Sequence, residues 1–423
     1  MNFRKQTLAN GLRLITVPIA GSLTTTVLVL VEAGSEYETK EINGLSHFLE
    51  HMCFKGTKTR PSSQNISKEL DTLGAHYNAF TSDEMTGYYA TIAKENTDKA
   101  IEIISDIYLN SLLKEEDIDK ERGPIIEEIN MREDDPGSKV WELWPELLYG
   151  DQPAGWKITG SKESVKMLKR EDFLRYFNKR YIAENTVVVI AGDIDEVKVT
   201  ETVNKFWEKV QRGMRTQKPK TIESQSEPRI LLKYKQLDQT HLKLGVRAYT
   251  ITDPRRFPAG IIMNILGGKM SSRLWLRIRE EMGVAYYVHS DYDFDIDHGY
   301  IAIAAGVSNE KLEAVVKVIL EEFKRLKTEK LTDKELEEAK SNMIGRLAIS
   351  IETPEDWADF YGNQEIMTGS IMSPEERMAK IRKVTVEDIQ TVANDLFKDE
   401  KLNLVLIGPH KDQEPLKTLL KLG

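Results

Sequence analysis

Two stretches of this 423-residue chain carry the same pattern, and that repetition limits what it can fold into more than any other feature. Gly87-Tyr88-Tyr89-Ala90-Thr91-Ile92-Ala93 is followed by Asn96-Thr97-Asp98-Lys99-Ala100 and a long amphipathic helix pattern. Gly299-Tyr300-Ile301-Ala302-Ile303-Ala304-Ala305 is followed by Ser308-Asn309-Glu310-Lys311-Leu312 and another such pattern. Each half also closes with a helix and then an apolar strand, at 185–193 and 402–408. Self-similarity of this kind predicts two copies of one α+β unit. The length agrees, since a single core rarely grows past about 250–300 residues. Segment 212–228 is polar and rich in Lys, Thr, Gln and Ser, so it reads as a linker between domains at 1–211 and 229–423. The β-branched run Val27–Val31 predicts a buried strand and is far too short to span a bilayer.

Only the first copy carries His47-Phe48-Leu49-Glu50-His51. Leu45, Phe48, Leu49 and Met52 follow helical i, i+3, i+4, i+7 spacing and define an apolar stripe. His47, Glu50 and His51 then fall together on the opposite face. Residues i and i+4 project from nearly the same side, so the two imidazoles are spaced to grip one metal ion, with a carboxylate beside them. The order is H-x-x-E-H, that of inverzincins. Hydrolytic zinc takes three protein ligands, which calls for one more. The stretch from Lys120 to Ile129 offers it. Ile125, Ile126 and Ile129 mark its apolar side, Glu127 projects away, and Glu128 borders that side with Glu121 seven residues earlier on nearly the same line. Phasing therefore favours Glu128 as the inward carboxylate, with Glu121 as an outer-shell group. Gly123-Pro124 lies between them and predicts a kink.

On these residues the chain resembles the pitrilysin/insulysin family of zinc peptidases, and most closely its short branch, which includes the bacterial and mitochondrial processing peptidases. In that family an H-x-x-E-H helix is completed by a glutamate about 75–80 residues downstream. Here the interval is 128 − 51 = 77. The resemblance implies one Zn²⁺ per chain on His47, His51 and Glu128, with Glu50 as base toward a zinc-bound water. Glu121 matches a further glutamate that relatives carry one heptad before the ligand, and it joins the catalytic set. The second half holds an arginine and a tyrosine at the family's spacing, Arg279 and Tyr286 (286 − 279 = 7). By resemblance they hold substrate carbonyls and the tetrahedral oxyanion. The strand containing Asn78, Ala79 and Phe80 matches the one that takes extended substrate as an added strand. The implied fold is two homologous domains, each a mainly antiparallel sheet packed with helices, arranged as a clamshell.

The resulting expectation is a zinc metalloendopeptidase acting on peptides or unfolded segments, as a cytoplasmic homodimer. The alternative is a noncatalytic or partner-dependent subunit of a processing-peptidase-like assembly. A net charge of −9 argues against a nucleic-acid partner. The single cysteine, Cys53, excludes an intramolecular disulfide, fits a reducing compartment and reads as a buried bystander. Met1-Asn2-Phe3-Arg4-Lys5 is not followed by the long apolar run of a signal peptide, and no membrane partner is expected. His76 lies outside the matched pattern and reads as structural.

Overall fold

The computed structural model describes residues 3–422, so Met1 and Asn2 of the Met1–Lys5 opening, and Gly423, lie outside the described residues. The chain forms two compact units. The first contains a six-stranded sheet of β1 (Arg4–Thr7), β2 (Arg13–Pro18), β3 (Thr24–Val31), β4 (His76–Thr81), β5 (Thr86–Ala93) and β6 (Thr186–Gly192), ordered β1-β2-β6-β3-β5-β4. The second contains β7 (Arg229–Tyr234), β8 (Gln239–Arg247), β9 (Ala285–Phe294), β10 (Gly299–Ser308) and β11 (Leu402–Gly408), ordered β7-β11-β8-β10-β9. The β2/β6 and β7/β11 pairs are parallel, and the others are antiparallel.

The sequence repeat is thus a repeat of topology. Strands β2-β6-β3-β5-β4 of one sheet correspond in order and direction to β7-β11-β8-β10-β9 of the other. Both repeated glycine-led segments are the strand next to an edge, β5 and β10, and each leads into a long helix, Thr97–Asn110 or Leu312–Thr328. The helix Arg256–Gly267 packs on β9 and β10 much as Leu45–Cys53 packs on β4 and β5. It carries no H-x-x-E-H, and Pro258 to Gly267 are all buried.

Strands β6 and β11 are buried at every residue, so both sheet faces are covered at these strands and their sequences lack polar alternation. The two units interleave along the chain to achieve this. The first comprises Met1–Asn130, Trp156–Pro219 and Ile349–Ser373, and the second comprises Met131–Gly155, Lys220–Ala348 and Pro374–Gly423. Compared with the expected 1–211 and 229–423, each unit holds one helix drawn from the other stretch. Helix Pro354–Thr368 lies on β3 and β6, where a Cβ on Gly362 would come within 2.9 Å of Leu30 and 3.1 Å of Val189. Helix Pro136–Tyr149 lies on β8 and β11 and packs Trp144 and Leu148 against Val405 and Ile407. It also roofs Lys243, whose ammonium sits 4.0 Å from the Trp141 ring centroid and pairs with Asp291. Burial pushes that amine down to about 8.

The polar segment 212–228 contains no helix or strand, yet several of its residues are engaged. In the first unit Arg215 pairs with Glu32 at 2.6 Å and Lys218 with Glu84 at 2.7 Å. In the second, the Thr221 N–H donates to Asp297 at 2.8 Å. Among the described residues no helix is long and apolar enough to cross a membrane.

Candidate metal centre

The motif helix spans Leu45–Cys53. Leu45, Phe48, Leu49 and Met52 are fully buried, which turns His47, Glu50 and His51 toward the opposite side. Gly44 opens the helix at φ 95°, a left-handed conformation natural to glycine, and a Cβ there would lie 2.6 Å from the Thr159 carbonyl oxygen. The N–H groups of the first turn, which have no partner within the helix, are met by a residue that sequence reasoning missed, Glu38. Its Oε1 accepts from the Ser46 N–H at 2.6 Å, and its Oε2 accepts from the Gly44 N–H at 2.8 Å and from Asn43 Nδ2 at 3.0 Å. Burial pushes the Glu38 carboxyl up to about 7, against the pull of those Ser46, Gly44 and Asn43 hydrogen bonds. Glu38 lies well upstream of the helix, outside the Ser/Thr-x-x-Glu capping spacing, so no local pattern marks it.

Glu128 comes from the helix Glu115–Asp134, anchored by buried Ile118, Ile125 and Ile129. Glu127 is exposed, whereas Glu128 is half-buried with Oε2 3.3 Å from His47 Nε2 and 3.9 Å from His51 Nε2. One donor atom from each of the three residues lies within 4.8 Å of the others. Tetrahedral zinc with bonds of about 2.0–2.1 Å separates its ligand atoms by roughly 3.4 Å, so this donor set and spacing suit the ion. The imidazole centroids are 4.7 Å apart. His47 Nδ1 is buried without a hydrogen-bond partner among the described residues.

Glu121 stands behind His51, with Oε1 3.0 Å from His51 Nδ1 and Oε2 2.5 Å from Lys55 Nζ. That leaves Nε2 as the His51 atom turned to Glu128. Burial alone would lower the His51 pKa, but the Glu121 hydrogen bond and the charges of Glu50, Glu121 and Glu128 outweigh it, and the net shift is upward. Burial likewise works to raise Glu121, and its bonds to His51 and Lys55 reverse the sign. The interruption expected at Gly123-Pro124 does not break the helix, which is continuous from Glu115 to Asp134. Pro124 withholds one N–H from an exposed stretch where water can replace it, and Gly123 lacks the Cβ that would strike the proline ring.

Glu50 Oε2 accepts a hydrogen bond from Thr81 Oγ1 at 2.7 Å. Thr81 ends β4, the outermost strand of the first sheet, which also carries Asn78, Ala79 and Phe80. Asn78 Oδ1 caps the Ala79 N–H at 2.9 Å, and the Phe80 ring lies so close over Gly87 that a Cβ there would meet it at 2.4 Å. His76 is exposed and pairs through Nδ1 with Glu355 at 3.2 Å. Cys53 is buried, and desolvation pushes its thiol up to about 12.

Arg279 and Tyr286 belong to the second unit. The segment Trp275–Glu281 forms a π-helical turn, a form often found at functional sites. Within it the Arg279 guanidinium stacks 4.6 Å from the Trp275 centroid and donates to the Tyr286 carbonyl. Tyr286 is the second residue of the edge strand β9 and is 74% exposed, so its phenol is open to solvent. The structure therefore gathers His47, Glu50, His51, Glu121 and Glu128 in the first unit and joins Arg279 to Tyr286 in the second.

Residues 16–162 match the family described as insulinase (peptidase family M16), and residues 168–343 match the peptidase M16 inactive domain. An uncharacterized zinc protease of Streptomyces coelicolor is 34% identical over 424 residues, covering 97% of this chain and 90% of that protein. A protease from Helicobacter pylori has a similar structure, with a TM-score of 0.89 at 24% identity over 96% of this chain and 99% of the other. A chain from complex III2 of Candida albicans aligns with a TM-score of 0.86 at 19% identity, covering 99% of each. Two repeated α+β units, the first bearing paired histidines and a glutamate, define the class of two-domain zinc-peptidase folds. The chain belongs to peptidase family M16, the pitrilysin/insulysin peptidases, and fits its short branch.

Proposed function

We propose that the protein is a zinc-dependent metalloendopeptidase that hydrolyses peptides and unfolded polypeptide segments. The observation that carries this reading is the convergence of His47 Nε2, His51 Nε2 and Glu128 Oε2, with the Glu50 carboxylate on the same helix face. His47, His51 and Glu128 would hold one zinc ion per chain. When bound, zinc supplies Lewis-acid polarisation and lowers the pKa of its water toward 7.

Glu50 takes a proton from the attacking water as its oxygen bonds to the scissile carbonyl carbon, and returns it to the amine as the C–N bond breaks. Glu121 holds the His51 ring with Nε2 forward. The β4 edge at Asn78, Ala79 and Phe80 receives extended substrate as an added strand, which reads backbone and tolerates many sequences. Arg279 and Tyr286 supply donors for substrate carbonyls and the tetrahedral oxyanion. We assign the working form as a homodimer. The alternative, a noncatalytic assembly subunit, is disfavoured by the complete set of His47, Glu50, His51 and Glu128, since such a subunit has no use for it.

The test is a purified chain assayed for bound zinc and for cleavage of an unstructured peptide, beside Glu50→Gln. Stoichiometric zinc in both proteins with cleavage only by the wild type is the expected result. Zinc-loaded wild type without cleavage would overturn the reading.

A further inference from the structure

We propose that Thr81 is a positioning residue for Glu50: its hydroxyl fixes the carboxylate's orientation and links the base to the edge strand that takes substrate. The inference rests on the peptidase reading and adds a residue to it. The Thr81 hydroxyl spends its one proton on Glu50 Oε2 at 2.7 Å, which fixes that oxygen and leaves Oε1 without this bond to meet water. A glutamate without such a partner rotates about three side-chain bonds. One placed directly before a metal-ligating histidine can swing in as an extra ligand and occupy the position the attacking water needs. A β-branched side chain suits the opposite role, because its χ1 is stiff and its hydroxyl points in one direction.

The backbone carrying that hydroxyl is itself fixed from several sides. Thr81 pairs with Thr86 at the end of the β4/β5 hairpin, and the Ser82 N–H closes the turn on the Met85 carbonyl at 2.8 Å. The turn is then docked to the loop preceding the motif helix. Ser35 Oγ donates to Asp83 Oδ1 at 3.0 Å, the Glu36 N–H donates to the Asp83 carbonyl at 2.9 Å, and Thr86 Oγ1 donates to the Ala33 carbonyl at 2.7 Å. Gly34 permits this approach, since a Cβ there would lie 2.4 Å from the Asp83 oxygen. The same loop continues to Glu38, which holds the N-terminus of the motif helix. Donor and acceptor are therefore tied to one frame. Alternation along β4 places Ala79 and Thr81 on one face, so the strand that would hold the peptide backbone also aims the base.

The test compares Thr81→Val, which keeps the shape and loses the proton, with Thr81→Ser, which keeps the hydroxyl. With zinc content equal to wild type, Thr81→Val is expected to lose about 10- to 100-fold in kcat with KM within about twofold, as a small misplacement of a reacting group costs. Thr81→Ser is expected to recover to within about threefold of wild type. Wild-type kcat in Thr81→Val, or no recovery in Thr81→Ser, would overturn the proposal. Crystal structures of the zinc-loaded wild type and Thr81→Val provide a readout independent of turnover. An unmoved Glu50 carboxylate in the variant overturns the positioning role, and a displaced one supports it even with peptides that are not cleaved. Lack of turnover by zinc-loaded wild type, in contrast, counts against the peptidase reading itself.

Discussion

Replacing Glu121 with alanine isolates the contribution of a carboxylate that touches His51, a proposed zinc ligand, from behind. Glu121 is 8% exposed, so its 3.0 Å bond to His51 Nδ1 is little screened by solvent. A hydrogen bond involving a charged group is worth about 1.5–3 kcal/mol, and loss of such an outer partner typically weakens metal affinity about 10- to 100-fold. Lys55 draws on the same carboxylate at 2.5 Å and offsets part of the field felt by the imidazole, which places the expectation in the middle of that range. The variant should lose about 2 kcal/mol of zinc affinity, roughly 30-fold in Kd. Competition against a fluorescent zinc chelator at fixed pH reads this directly, without reference to turnover. Glu121→Gln retains an oxygen acceptor for Nδ1–H and should fall within a few-fold of wild type, and Glu127→Ala, exposed on the same helix, should leave the Kd unchanged. Glu121→Ala binding zinc with wild-type affinity would refute the claim that this carboxylate orients His51.

Stability at three further positions follows from the same geometry. The Glu38 carboxyl is raised from 4.5 to about 7, so between these values the folded protein holds a proton that the unfolded chain has released, and stability falls as pH rises through that window. Glu38→Gln removes the slope, and thermal unfolding should show the variant gaining on wild type by up to about 3 kcal/mol from pH 4.5 to 7; a gap that widens in favour of wild type would reverse the sign. Pro124→Ala restores a helical N–H and should stabilise the protein by about 1–3 kcal/mol. Gly123→Ala should destabilise the wild type, because the new Cβ meets the proline ring, but stabilise Pro124→Ala by about 0.5–1 kcal/mol; the same sign in both backgrounds would contradict that account.

The motif helix was legible because its seven-residue apolar spacing is a local property, and the same wheel separates Glu128 from Glu127. The duplicated strand-to-helix pattern foretold two sheets of one topology for a related reason: neighbouring residues carry it. Glu38 and Thr81 were invisible because each acts on the motif helix through a chain reversal, across 6 to 8 residues for Glu38 and 31 for Thr81, where no periodicity operates. At Pro124 the helix runs on unbroken, because the glycine before it lacks the Cβ that would strike the proline ring. The placement of helices 136–149 and 354–368 depends on which sheet face lacks cover, and that is a property of the folded sheets rather than of any window of residues.

That interleaving governs the order in which the protein can be made. A chain leaving the ribosome releases every strand of the first sheet by Gly192, yet the helix that covers β3 and β6 emerges only at residues 354–368. For some 160 residues of synthesis, Leu28, Leu30 and Val189 lack their lid. The half that carries the H-x-x-E-H helix is therefore born first but completed almost last. A gene fragment ending in the polar 212–228 segment would yield an aggregation-prone sheet, whereas adding helix 354–368 as a separate peptide should restore its solubility.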